Sequence, residues 1–222
     1  MKTLIKNGTI VNEGLKFRGD VLIQDNKISK VFPHAVPLHF DLGETKIVDA
    51  TGLLLIPGVI DTHVHFREPG FTHKGEILSE GRAAIAGGIT SYMEMPNTSP
   101  QTVTQELLEQ KYLRAASVSA ANYSFYLGAT NNNIEEVLKT DSSKVCGIKV
   151  FMGSSTGNML VDDENTLSEI FEKWRWLLEY CKEKKLLSSN DAISVLCETF
   201  FSSDMKGVLE AHKNLVHQLR HR

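Results

Sequence analysis

Cysteine is scarce and unpatterned in this chain. Cys146, Cys181 and Cys197 share no CxxC and no paired spacing, which argues against a disulfide framework or a thiolate zinc site and fits a reducing cytoplasm. Long apolar runs are missing as well. The longest, "GLLLIPGVI", contains Pro57 and is far shorter than the roughly 20 residues that span a bilayer. The opening "MKTLIKNGTIV" is cut at Lys6, Asn7 and Gly8, too soon for a signal-peptide core. Neither sign of charge dominates: 24 basic and 27 acidic residues leave a formal charge of -3, so no field for phosphate backbones is implied. A phosphate loop is also lacking, since "GSSTGN" at 153–158 has no GK[ST]. These absences leave a soluble cytoplasmic protein with neither nucleic acid nor membrane as an expected partner.

What is present changes character along the chain. Residues 1–52 read as short strands rich in Val, Ile and Thr ("TLIKNGTIV", "GDVLIQDNKISKV", "TKIVDA"), with Asn-Gly and Asp-Asn as punctuation. They are too few to bury two faces, so this β segment belongs to a small sandwich. From Leu53 apolar strands alternate with amphipathic helices. "LLLIPGVIDTHVHF" is expected to be a buried strand, followed by a helix in "KGEILSEGRAAIAGG". Three more pairs follow: "ITSYMEMPN" with a helix to about Val118 capped by Thr104, "YSFYLGA" with "NIEEVLKT", and "VCGIKVFM" with "ENTLSEIFEK". Four βα units predict a parallel sheet with right-handed crossovers, either doubly wound or a (β/α)₈ barrel. After Lys173 the alternation stops, and residues 174–222 read as a helical tail. From Leu53 onward the chain falls short of the roughly 200 residues at the low end for an eight-unit barrel, so a barrel here is partial.

The residues that carry chemistry lie at the ends of these strands. In "DTHVHFREPG" (61–70) strand alternation puts Asp61, His63, His65 and Arg67 on one face. Buried and unpaired, each such group costs on the order of 2 kcal/mol. A cation and a charged ligand at the C-terminal end of the strand resolve the conflict. An HxH taken alone reads as a solvated strand edge; following an apolar strand, with Arg67 in phase, it reads as a ligand pair. Lys149, between Ile148 and Val150, is the second anomaly. Alone it reads as a strand-end lysine reaching to water. Desolvated, it would lose its proton and could take up carbon dioxide, giving an anionic oxygen ligand. Asn97 stands at the junction of strand and loop in "MEMPNTSP". His212, His217 and His221 read as a solvated helix face.

Over residues 2–173 these motifs resemble cyclic amidohydrolases, most closely dihydroorotases: "PGVIDTHVHFREPG", "AAIAGGIT", "MEMPNTSP" and "GIKVFMGSS" all fit. The resemblance implies a metal-dependent (β/α)₈ hydrolase barrel with an N-terminal β-sandwich segment, divided here into 1–52, 53–173 and the atypical tail 174–222. It implies metal ligation by His63, His65 and a carbamylated Lys149, two zinc ions, and a substrate-carboxylate clamp of Arg67 and Asn97. The implied reaction interconverts dihydroorotate and N-carbamoyl-L-aspartate in pyrimidine biosynthesis, with a small-molecule substrate and a homo-oligomeric assembly. Dihydropyrimidinases and allantoinases are the alternative enzymes, and a non-catalytic partner subunit is the alternative of another class. The family's later histidines and catalytic aspartate have no match after Lys173, so no catalytic residue is assigned and this polypeptide alone is expected to be poorly active.

Overall fold

The computed structural model describes residues 1–172, apart from 39, 42, 142, 143 and 154–156. The tail from 174, with Cys181, Cys197, His212, His217 and His221, and the middle of "GSSTGN" lie outside the described residues. The chain divides into two units, Met1–Gly58 and Val59–Arg222.

In the first unit β1 (Lys2–Asn12), β2 (Leu15–Gln24) and β3 (Lys27–Pro33) form an antiparallel meander, and β4 (Thr45–Asp49) and β5 (Leu54–Leu55) both add to β1 in parallel. The punctuation differs from expectation. Asn7-Gly8 is not a turn but an irregularity inside β1, where the register shifts between Ile5 and Gly8 and Asn7 adopts a φ of 64°. Buried Asp20 accounts for this local shape, because its carboxylate accepts the N–H of Asn7 at 2.8 Å and of Val36 at 2.7 Å. Leu4, Leu22 and Phe32 form a small core, while Ile28, Val31, Ile47 and Val48 stay exposed. One sheet of five strands buries little apolar area, as its strand count predicts.

The second unit begins with β6 (Val59–Val64), then α1 (Ile77–Ala86), β7 (Ile89–Glu94), α2 (Gln105–Val118), β8 (Asn122–Gly128), α3 (Ile134–Leu138), β9 (Gly147–Lys149) and helical residues 164–172. The four strands form one parallel sheet in the order β6-β7-β8-β9, as the βα alternation predicts. Phe66, Tyr92, Phe125 and Leu127 lie in its core with Leu108 and Ala115 of α2. Burying each large apolar side chain stabilises by about 1.5–3 kcal/mol.

Two capping arrangements orient the helices. Thr104 Oγ1 accepts the Leu107 N–H at 3.2 Å, the expected N-cap of α2. At α1 the N-cap residue Glu76 makes no side-chain bond, and Glu68, eight positions earlier, supplies the acceptor: its Oε2 takes the Ile77 N–H at 2.8 Å. Arg114 of α2 meets the other oxygen of that carboxylate at 2.6 Å, so one residue of the loop after β6 holds both helices.

The buried strand expected over "LLLIPGVIDTHVHF" is corrected. Pro57 interrupts it, β5 pairs in the first unit, and Val59 and Ile60 of β6 are 49% and 56% exposed. Burial of a parallel strand needs a neighbour on each side. Among the described residues β6 has only β7, so it is an edge.

Candidate functional site

The C-terminal ends of β6, β7 and β9 carry the polar residues singled out above. The parallel direction places these ends along the same edge of the sheet, since consecutive strands of a βαβ sheet run the same way. On β6 the Asp61 carboxylate turns along its own strand and accepts the His63 N–H at 3.1 Å. Tyr126 reaches from β8 to donate its hydroxyl proton to the Thr62 carbonyl at 3.0 Å, fixing the backbone beside His63. The imidazoles of His63 and His65 then stand with ring centroids 5.3 Å apart. Two imidazoles about one tetrahedral ion, bound at about 2.0 Å, place their centroids about 5 Å apart. The spacing fits.

His65 is oriented by a bond that sequence spacing did not reveal. Its Nδ1 lies 2.8 Å from Oδ1 of Asn97, a buried residue just past β7. An amide oxygen only accepts, so Nδ1 carries the proton and Nε2 keeps its lone pair. Burial, helped by the neighbouring Arg67 charge and opposed by the Asn97 bond, pushes the His65 pKa down to about 4. Burial and then the Lys149 ammonium also lower His63, with Asp61 opposing. Both rings are therefore neutral at physiological pH, the form that ligates metal.

Lys149 ends β9 and is 4% exposed, so it does not reach to water. Among the described residues no carboxylate pairs with it; its ammonium lies 4.9 Å over the Phe151 ring. Burial lowers its pKa from the ordinary lysine value. Its charge acts on both imidazoles, which puts the amine in the same electrostatic neighbourhood. No group of three or more His, Cys, Asp or Glu arranged to hold a metal ion occurs among the described residues. Lys149 is a candidate third donor only in another form, since an ammonium becomes a donor only once its charge is removed or inverted.

Arg67 departs from the expected strand phase. β6 ends at Val64, and Arg67 has a φ of 71°, in the left-handed region that arginine rarely adopts. It arrives beside His65 by a turn, not by alternation. Two residues that hold this turn, Glu94 and Lys111, were missed from sequence. Glu94 ends β7 fully buried, its Oε1 accepting the Arg67 N–H at 3.1 Å, and Lys111 of α2 stands 3.0 Å from its Oε2. A signal was present: Lys111 occupies the buried stripe of α2 between Leu108 and Ala115.

A cavity of about 240 Å³ lies away from the histidines, lined by Glu68, Ile77, Thr102, Lys111 and Arg114 among others. Its charged groups are already paired, Glu68 with Arg114 and Lys111 with Glu94, so it belongs to the packing between α1 and α2.

Comparison with known proteins bears on the family and the fold. The family described as dihydro-orotase-like matches residues 52–214, running past Lys173. A dihydroorotase of Streptococcus thermophilus is 43% identical over 115 residues, 51% of this chain and 26% of that protein. A dihydroorotase of Lactobacillus acidophilus is 38% identical over 138 residues, 62% of this chain and 31% of that protein. The multifunctional protein CAD of Squalus acanthias is 35% identical over 157 residues, 69% of this chain and 7% of that protein. Among solved structures, the L-hydantoinase (dihydropyrimidinase) of Arthrobacter aurescens superposes with a TM-score of 0.70 at 27% identity, covering 77% of this chain and 38% of that one. The chain thus spans less than a third of the length of the curated dihydroorotases it matches.

Proposed function

The chain belongs to the dihydro-orotase-like family, and from that premise we propose that its site serves metal-dependent hydrolysis of a cyclic amide, interconverting dihydroorotate and N-carbamoyl-L-aspartate. Its fold is a partial (β/α)₈ barrel of the cyclic amidohydrolase kind. The observation that carries the reading is the pair of neutral imidazoles, one locked by Asn97 with Nε2 unprotonated, beside a buried lysine with no carboxylate partner among the described residues.

His63, His65 and Lys149 would hold the metal, zinc being the expected ion. Bound divalent metal supplies Lewis acidity toward the ring carbonyl and an activated water. Lys149 joins the donor set as a carbamate. Its neutral amine attacks carbon dioxide, a C–N bond forms, the nitrogen proton passes to solvent, and an anionic oxygen replaces a cation beside the imidazoles. Desolvation at Lys149 favours the neutral amine that this step needs.

Arg67 is the group that recognises the substrate's carboxylate, since a guanidinium binds that anion through paired N–H donors. Asn97 turns its carbonyl to His65, so its amide N–H₂ is the end suited to the same anion. Together they would hold the ring at a fixed distance from the histidines. Pyrimidine biosynthesis and a cytoplasmic location follow from this substrate assignment. Among the described residues no helix is long and apolar enough to cross a membrane.

The test is a binding comparison on the zinc-titrated 222-residue chain. Dihydroorotate is expected to bind more tightly than dihydrouracil, which lacks the carboxylate, and Arg67→Ala should erase the difference. Equal binding of the two ligands by the unmutated protein would favour the dihydropyrimidinase alternative.

A further inference from the structure

Arg67 is held in its turn by something outside the site. Left to strand alternation, the chain beyond Val64 would continue extended; instead Arg67 takes a φ of 71°, which costs a non-glycine residue energy and persists only where surrounding groups impose it. The imposing group is Glu94. Its side chain faces the helices and not the histidines, and its Oε1 curls over the strand end to accept the Arg67 N–H at 3.1 Å. The Phe66 N–H lies on the same carboxylate. At the other side of the turn the Arg67 carbonyl accepts the Phe71 N–H at 3.0 Å. The peptide is pinned on both flanks.

Glu94 is itself fixed. The Lys111 ammonium sits 3.0 Å from Oε2, donates to the Met95 carbonyl at 3.3 Å and lies 4.9 Å over the Phe125 ring. Both side chains are about as buried as any among the described residues, Glu94 at 0% and Lys111 at 1% exposure. An ion pair is an expensive way to fill a core, and apolar residues of similar volume often do so at no loss of stability. What apolar residues cannot supply is an acceptor for the Arg67 N–H.

We propose that Glu94, braced by Lys111, is a positioning residue that sets the left-handed turn at Arg67 and thereby aims the guanidinium at the substrate's carboxylate. This rests on the carboxylate-reading role given to Arg67 above, which the site geometry accommodates: the Arg67 charge is felt by the His65 ring.

The experiment uses the full chain, zinc-titrated, with two probes: N-carbamoyl-L-aspartate, and 3-ureidopropionate, which lacks its α-carboxylate. Three proteins are compared: the unmutated chain, Glu94→Leu with Lys111→Met, and Glu94→Gln with Lys111→Met. Amide hydrogen exchange at Arg67 is recorded alongside both affinities. The Leu/Met protein is expected to keep a cooperative thermal transition, to exchange the Arg67 amide at least ~10-fold faster, and to bind N-carbamoyl-L-aspartate about 10-fold more weakly with 3-ureidopropionate unchanged, a tenfold loss being what one charge-assisted contact carries. The Gln/Met protein retains a carbonyl acceptor of the same reach and should recover both readouts. Should the Leu/Met protein fail to fold, Glu94→Asp substitutes: it keeps the charge for Lys111, falls one methylene short of Arg67, and should show the same selective loss. Unchanged exchange at Arg67, or equal weakening of both ligands, overturns the proposal. If the unmutated protein does not discriminate between the ligands, the role given to Arg67 falls and takes the functional half of the proposal with it, while the exchange data still decide whether Glu94 holds the turn.

Discussion

At the scale of single residues, the site is a problem of where protons sit. In an unfolded chain an imidazole is protonated near pH 6.5, whereas folded His65 stays neutral until about pH 4. Between those values the unfolded state binds the extra proton, so native stability falls as pH drops through that window and is fully retained above it. Urea unfolding of the metal-free protein between pH 7 and pH 4 should therefore have a steeper fall for the unmutated chain than for His65→Gln; parallel profiles would contradict this. Asn97 makes the second residue-scale prediction. If its carbonyl fixes the His65 tautomer, Asn97→Leu should weaken zinc binding by about 10-fold or more, the usual effect of losing such an outer partner, and a calorimetric titration checks it. The histidine pair and Lys149 stood out in the sequence as polar residues in or ending apolar strands, and Arg67 by its phase with the histidines. The Asn97–His65 bond did not, because two residues 32 positions apart carry no local record of their folding together.

At the scale of elements, the βα order was readable from periodicity and the caps from residue type. Thr104 before the helix of α2 is the clearest case. Thr104→Ala should lower stability by about 1 kcal/mol with the fold intact, read from the shift in urea midpoint. Strand phase was less readable: Pro57 splits the expected first barrel strand, and the turn at Arg67 breaks the alternation that β6 begins. Pro57 could be read as a break in the run, but the turn at Arg67 could not, since it depends on the carboxylate of Glu94, 27 positions along the chain. The buried pair joining β7 to α2 predicts a further asymmetry. Glu94→Leu alone strands the Lys111 ammonium and should cost about 3–5 kcal/mol, while Glu94→Leu with Lys111→Met should recover most of it. Equal destabilisation by the single and double variants, compared by chemical denaturation, would contradict the ion-pair account.

At the scale of the whole molecule, one region of sequence carries the reading. The three proposed donors come from the ends of β6 and β9, two strands at opposite sides of a four-stranded parallel sheet, so the proposed site requires that sheet to curl toward a barrel. Family membership rests on residues 52–214, and the solved relatives cover 38% or so of their own length with this chain. The central claim is that His63, His65 and Lys149 form one metal site. Calorimetric titration of zinc into the purified chain, in bicarbonate-containing buffer near pH 7.5, tests it most directly. The account predicts saturable binding that His63→Ala with His65→Ala abolishes and Lys149→Met weakens by at least about 10-fold; zinc affinity indifferent to all three substitutions would contradict it.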